Sequence, residues 1–225
     1  MNFSTVRAVL FDVDGTLFSS EEIIHQVYIE EFSRTQRDLG RPAKIPGKSE
    51  IIAEIGKPVP VIFRNLAPDL TQAEQDEVSA RILEGLVRHI LAGAGHHYPG
   101  AKETIRDLHA RGFRLFTASN GREPYVRSIL EANKVIEYFS GLPVIGGRIT
   151  NKTELVSDFL LREKLSPAQA ILVGDRASDR DAALDNGVYF AACRFGHGTP
   201  AEWEGAAAFL DNITDLLRLL PSKLQ

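Results

Sequence analysis

The chain has one cysteine, one methionine and one tryptophan among its 225 residues. A lone Cys193 excludes an intrachain disulfide and fits a reducing compartment. Its neighbours Phe190-Ala191-Ala192 place it on a buried strand, with nothing beside it to activate a thiol. No run approaches the roughly 18 apolar residues of a membrane span. No basic stretch followed by a long apolar one opens the chain, so no secretory signal is expected. Lysine and arginine number 26 against 30 acids, a net charge of −4, which supplies no footprint for nucleic acid or anionic lipid. A small anionic ligand would therefore need a local cluster of cations. Internal repeats and low-complexity segments are absent. The length suits one large domain, or a core with a modest second unit. A cytoplasmic enzyme is the expectation.

The segment Ala8-Val9-Leu10-Phe11-Asp12-Val13-Asp14-Gly15-Thr16-Leu17-Phe18 joins a short apolar run to two acids and a Gly-Thr turn. Such runs read as strands buried on both faces, and open α/β sheets bind ligands at the carboxyl ends of their strands. Alternation puts Asp12 and Asp14 on one side, where they repel unless a cation or a shared proton intervenes. Between residues 19 and 97 the periodicity turns helical. Ile24, Val27 (or Tyr28) and Glu31-Phe32 recur at helical spacing in one stretch, and Val78, Ile82, Leu86 and Ile90 in another. Thr71-Gln72-Ala73-Glu74 opens the second as a capping box. Gly47, Gly56, Pro58, Pro60 and Pro68 break the chain between them into short pieces. From Pro99 onward strands alternate with helices. Strands are expected at 113–117, 170–174 and 188–193, and helices at 101–110, 124–133, 153–164 and 178–186, with 213–220 closing the chain. A weak, glycine-rich stretch runs up to Ile149. This order predicts an α/β fold with a doubly wound, mostly parallel, Rossmann-like sheet as its core (residues 1–18 and 98–225). An all-helical cap (19–97) interrupts it, with 17–20 and 93–100 as paired hinges.

Four features then fall where strands or helices open onto one crevice. They are Asp12 with Asp14, Ser119-Asn120-Gly121, Lys152 at a helix start, and Gly174-Asp175 with Asp179. Together they suit phosphoryl transfer from a monoester. A dianionic phosphate admits an anionic nucleophile only where positive charge screens the approach. Mg²⁺ prefers oxygen ligands and needs only one or two carboxylates, which Asp12, Asp175 and Asp179 offer. Ser119 and Asn120 can hold the transferring oxygens while Lys152 offsets charge. One aspartate can act as covalent nucleophile; a second can protonate the departing alkoxide and later deprotonate water. Blander readings stand beside these. Asp and Gly favour turns for backbone reasons, and Asp179 suits the first turn of a helix. Lys152 alone reads as a surface lysine, with Lys134 as its competitor, and Thr117 competes with Ser119. Asp181 reads as solvated. His96-His97 reads as hinge surface, since neighbours on a helix cannot face one ion. His25, Lys57 and Arg64 in the helical segment read as solvated side chains within reach of a substrate.

In this order the motifs resemble the haloacid dehalogenase superfamily of phosphotransferases, and more narrowly its phosphoglycolate-phosphatase-like branch with a helical cap after the first strand. The likeness covers nearly the whole chain. Asp12-Val13-Asp14-Gly15-Thr16 stands first, then Ser119-Asn120, then Lys152, then Gly174-Asp175 with Asp179. Tyr98-Pro99-Gly100 is similar to the family's return from cap to core. The resemblance implies a Mg²⁺-dependent phosphatase that hydrolyses a small phosphorylated metabolite through an aspartyl-phosphate. It implies Asp12 as nucleophile and metal ligand, and Asp14 as general acid/base with its carbonyl on the metal. Asp175 becomes a further ligand and Asp179 a ligand directly or through water. Ser119 and Lys152 join the catalytic set, and Gly15, Thr16, Ser119, Asn120, Gly121 and Lys152 surround the phosphate. Two departures bear on the substrate rather than the reaction. Phe18-Ser19-Ser20 stands where many relatives carry an acid and a serine, and Ser-Asn-Gly where phosphoglycolate phosphatases often have Thr-Asn-Lys. A phosphomutase of the β-phosphoglucomutase type shares the four motifs and would differ in its cap. A non-catalytic regulator would be expected to have lost an acid or the lysine. Dehalogenation is disfavoured by Asp14, since a halide leaves without a proton.

Overall fold

The computed structural model describes residues 3–40, 42 and 44–224. In chain order its strands are β1 (Ala8–Phe11), β2 (Phe18–Ser19), β3 (His96–His97), β4 (Arg114–Thr117), β5 (Phe139–Gly141), β6 (Ala170–Gly174), β7 (Tyr189–Cys193) and β8 (Ala208–Leu210). Its helices are α1 (Glu21–Leu39), α2 (Lys48–Ile52), α3 (Val59–Leu66), α4 (Gln72–Leu91), α5 (Ala101–Ala110), α6 (Glu123–Ala132), α7 (Lys152–Glu163), α8 (Ala177–Asp185) and α9 (Leu216–Leu219).

Side chains of β1 alternate between two hydrophobic clusters, Val9 and Phe11 in one, Ala8 and Leu10 in the other. Burial on both faces explains an unbroken apolar run where a half-exposed strand would alternate. Six strands form one sheet in the order β5-β4-β1-β6-β7-β8, and all its neighbouring pairs are parallel. The chain builds outward from β1 through β4 to β5, then crosses back to β6 on the other side of β1. That reversal is where an open α/β sheet leaves a crevice. Phe11 lies opposite both Thr117 and Val173, so the loops after β1, β4 and β6 leave at one edge. Residues of α5, α6 and α9 cover one face, and those of α7 and α8, with Trp203, the other.

Helices α1 to α4 stand between β2 and β3. The capping box forms: Thr71 N–H donates to Glu74 Oε2 at 2.7 Å, and Glu74 N–H to Thr71 Oγ1 at 3.4 Å. Val78, Ile82, Leu86 and Ile90 are buried, as their spacing predicts. A Cβ on Gly85 would lie 2.7 Å from Val27 Cγ1, so α1 and α4 approach closely only because that position is glycine. The apolar residues of this layer belong to the same cluster as Val9 and Ile105 of the sheet and its covering helix.

Several elements differ from expectation. Segments 17–20 and 93–100 are zipped by an antiparallel ribbon, Phe18 opposite His97 and Ser19 opposite His96. His96 is exposed, but His97 lies edge-on to Phe18 with ring centroids 5.8 Å apart, and neither of its ring nitrogens has a hydrogen-bond partner. The surface reading therefore holds for His96 alone. β5 and β8 went unforeseen because edge strands of three residues carry too little periodicity to read. Segment 213–220, which closes the chain, is a 3₁₀ turn followed by one α-turn. Among the described residues, no helix is long and apolar enough to cross a membrane.

Candidate active site

Asp12 follows β1 and Asp175 follows β6, the strand beside it. Asp179 lies in the first turn of α8, and Lys152 is the first residue of α7. One carboxylate oxygen from each of Asp12, Asp175 and Asp179 lies within 4.8 Å of the others, and all three residues are buried. The Lys152 ammonium bridges two of them, 2.9 Å from Asp12 Oδ1 and 2.6 Å from Asp179 Oδ1. Three carboxylates against one ammonium leave two uncompensated negative charges. Burial, reinforced by Asp12 and Asp179, therefore pushes Asp175 up to about 8. Burial also raises Asp179 to about 6 against the pull of Lys152, and lifts Asp12 as well. Burial disfavours charge on Lys152, but Asp12 and Asp179 outweigh it and the group stays an ammonium.

Asp12 Oδ2 and Asp175 Oδ1 are buried without a hydrogen-bond partner. Such oxygens are costly to leave bare. Two bare carboxylate oxygens with two unbalanced charges are the donor set of a hard divalent cation, so these residues fit Mg²⁺. Both oxygens of Asp179 are engaged, Oδ1 by Lys152 and Oδ2 by the Arg176 N–H at 3.0 Å. Its first task here is to anchor the lysine. Gly174 makes room for it, since a Cβ there would collide with the Asp179 carboxylate.

Further residues hold these acids in place. His197 N–H donates to Asp175 Oδ2 at 2.5 Å, and Trp203 Nε1–H to the Asp175 carbonyl at 2.7 Å. Asp14 Oδ1 accepts from Ser20 Oγ and from Tyr125 Oη, each at 2.6 Å. Burial raises the Asp14 pKa while both hydroxyls and Lys152 pull it down. None of these four partners was anticipated in its role. Ser20 stood out only as a departure from the family pattern, and Trp203 reads from sequence as mere packing at a helix start. The alternation Gly196-His197-Gly198 was a readable sign of close backbone approach. Tyr125 has no local signature.

Asp12, Asp14, Ser119, Asn120 and Gly121 form the floor of a cleft of about 700 Å³, open mouth included, whose other wall comes from the helical layer. Gly121 N–H donates to Ser119 Oγ at 3.0 Å. Asn120 Nδ2 donates to the Gly56 carbonyl at 2.6 Å, leaving its Oδ1 buried and unpartnered. Gly15, at φ 81°, turns the chain under Asp175, whose Oδ2 would sit 2.5 Å from a Cβ there. Gly15 and the fully buried Thr16 lie outside the cleft lining. Thr117 donates its hydroxyl to the Pro143 carbonyl at 3.0 Å, so Ser119 is the residue presented to the cleft. Lys134 ends up just beyond α6, away from the lining. Asp181 pairs with Arg180 at 2.7 Å, its side chain 53% exposed. Lys57 lines the cleft while His25 and Arg64 do not. Cys193 is buried in β7, and burial lifts its thiol well above the ordinary range.

Fold and cluster together define a class: an α/β enzyme whose acids gather at the carboxyl edge of a parallel sheet beneath inserted helices. Comparison with known proteins narrows it. The sequence profile of haloacid dehalogenase-like hydrolases matches residues 9–193. A phosphoglycolate phosphatase of Pseudomonas savastanoi pv. phaseolicola is 32% identical over 230 residues, 97% of this chain and 80% of that protein. One from Vibrio cholerae is 29% identical over 231 residues, 96% of this chain and 97% of that protein. Among solved structures, a haloacid dehalogenase-like hydrolase from Streptococcus pneumoniae aligns with a TM-score of 0.78 at 20% identity, covering 96% of this chain and 98% of that one. CbbY from Rhodobacter sphaeroides, in complex with phosphate, aligns at 0.77 and 21% identity, covering 94% and 96%. The chain belongs to the haloacid dehalogenase-like hydrolase family. Within that family it is a phosphatase, a hydrolase of phosphoric monoesters similar to the phosphoglycolate phosphatases.

Proposed function

We propose that this phosphatase hydrolyses a small phosphorylated metabolite through an aspartyl-phosphate on Asp12, with Mg²⁺ as cofactor. In this reading residues 1–18 and 98–225 perform the chemistry, and 19–97 act as a cap over the leaving group. The observation that carries it is the Lys152 bridge between Asp12 and Asp179, with Asp12 Oδ2 and Asp175 Oδ1 left bare beside it. Asp12, Asp175 and the carbonyl of Asp14 would hold the cation, and Asp179 supports the site by anchoring Lys152. A cation held there supplies positive charge to the nucleophile and the phosphoryl oxygens. Lys152 favours the ionised form of Asp12 against the pull of burial and adds charge on the phosphoryl side. An Asp12 oxygen attacks phosphorus as the bond to the leaving oxygen breaks. Asp14, whose pKa burial raises, gives its proton to that oxygen. As a carboxylate it then takes a proton from the water that attacks the phosphoenzyme, which releases phosphate and restores Asp12. The Ser119 hydroxyl, Asn120 and the Gly121 N–H bind the transferring oxygens. The helical layer excludes bulk water and meets the leaving group.

Asp12→Asn keeps size and removes charge. It is expected to fold and to lower Mg²⁺-dependent phosphate release by about 10³-fold or more. Release within tenfold of the parent would refute the nucleophile. Phosphoglycolate, the compound in the relatives' names, belongs in the first substrate panel with sugar phosphates and nucleotides. Isomerisation of a phosphorylated sugar without net phosphate release would point to the mutase instead.

A further inference from the structure

The cleft wall opposite Asp12 is apolar. Ile24 and Tyr28 of α1, Ile51, Ile55, Phe63 of α3 and Ile82 of α4 line it, and each is less than 9% exposed. Within this wall lies Ser79 Oγ, buried and without a hydrogen-bond partner. The charged lining residues of the helical layer are Glu54 and Lys57, and they neutralise each other at 2.7 Å. The second Glu54 oxygen accepts from Asn65 Nδ2 at 2.9 Å. This wall therefore presents no net charge. Arg122, which has no ion pair among the described residues, lines the cleft directly after Gly121. It caps α6 on the core side of the cleft, and its charge reaches the Tyr28 hydroxyl. A two-carbon leaving group ending in a carboxylate would bring a charge that no residue of the helical wall pairs, and would leave the apolar part of the cleft unfilled.

We infer that the site selects phosphate monoesters of alcohols with an extended apolar carbon skeleton, which fills the helical wall. Ser79 Oγ serves one polar group on that skeleton. The inference rests on the phosphatase reading for the phosphate end and deepens it at the leaving-group end. The unspecific part of the gain is the transfer of carbon from water to an apolar surface, which grows with chain length.

The test uses the full chain with Mg²⁺ on methyl, propyl, pentyl and heptyl phosphate and on phosphoglycolate. The matching alkylphosphonates, which the enzyme cannot split, are titrated calorimetrically in parallel. Each buried methylene is expected to raise kcat/KM and phosphonate affinity about two- to fourfold until the cleft fills. Longer alkyl esters should overtake phosphoglycolate, and the heat-capacity change of phosphonate binding should become more negative along the series. Ile62→Gln and Leu83→Gln, at half-buried positions of the same wall, should flatten both slopes. Flat or falling slopes, or phosphoglycolate preferred to every alkyl ester, overturn the inference and leave the phosphatase reading standing. Affinity that climbs with chain length while no ester is hydrolysed supports the inference and overturns the phosphatase reading.

Discussion

Ser20 and Tyr125 donate to the same oxygen of Asp14 from opposite parts of the chain, and both stabilise its carboxylate. Tyr125→Phe removes one donor and keeps the ring. Stability should fall by roughly 1–2 kcal/mol, and the limb of the pH–rate profile set by Asp14 should move to higher pH. An unmoved limb would separate Asp14 from proton transfer. Asp175 carries the reverse of the usual carboxylate sign, with a folded pKa of about 8 against an ordinary 3.8. The unfolded chain gives up that proton first, so its stabilising share is full below about pH 4 and lost as pH rises toward 8. A cation that binds the ionised group offsets the loss. The rise in Tm on adding Mg²⁺ should therefore grow between about pH 6 and 8, and Asp175→Asn should abolish most of that growth in scanning calorimetry. The acids themselves were legible in the sequence because each follows an apolar run or opens a helix. Their partners were not, because a hydroxyl 111 residues away leaves no periodic trace.

The central strands β1, β6 and β7 could be read from the sequence because burial on both faces forces continuous apolar runs, and β4 because Leu115 and Phe116 precede the Ser119-Asn120-Gly121 turn. The edge strands β5 and β8 have a single neighbour each and blend into their loops. The ribbon of β2 and β3 shows the same limit, since two residues per strand define no pattern. What the ribbon does have is a titratable core. Burial, with Lys102 nearby, drives the His97 pKa down to about 4 from 6.5. Its neutral ring therefore supports the fold above about pH 6.5, and that support is lost as pH falls through 4. His97→Phe should keep the edge-on packing with Phe18 and remove the titration. The Tm of the variant relative to the parent should rise as pH drops from 6.5 to 4. A constant difference across that range would show that His97 does not set the acid sensitivity of the ribbon.

Across the whole molecule, two core side chains hold one short segment of the helical layer. Asn120 Nδ2 donates to the Gly56 carbonyl at 2.6 Å and Arg176 Nη1 to the Ile55 carbonyl at 2.8 Å. Arg176 is steadied by Glu202 at 3.1 Å and adjoins Asp175, so closure of the layer is tied to the acid cluster. Arg176→Ala should speed amide exchange at residues 54–57 and raise KM several-fold, with about 1–2 kcal/mol lost in stability. Unchanged exchange there would mean that the latch is not what keeps the layer shut. By itself the sequence set the order of the central strands and the helices around them, pointed to a helical insert after the first strand, and marked the acids and the lysine as candidates. Those follow from local periodicity, turn chemistry and charge, all expressed within a few neighbouring residues. Only the tertiary structure decided that Asp179 grips Lys152, that His197 and Trp203 secure Asp175, and that the wall facing Asp12 is apolar. Such facts depend on contacts between residues far apart in the chain, and burial in a shared low-dielectric space gives them their energy.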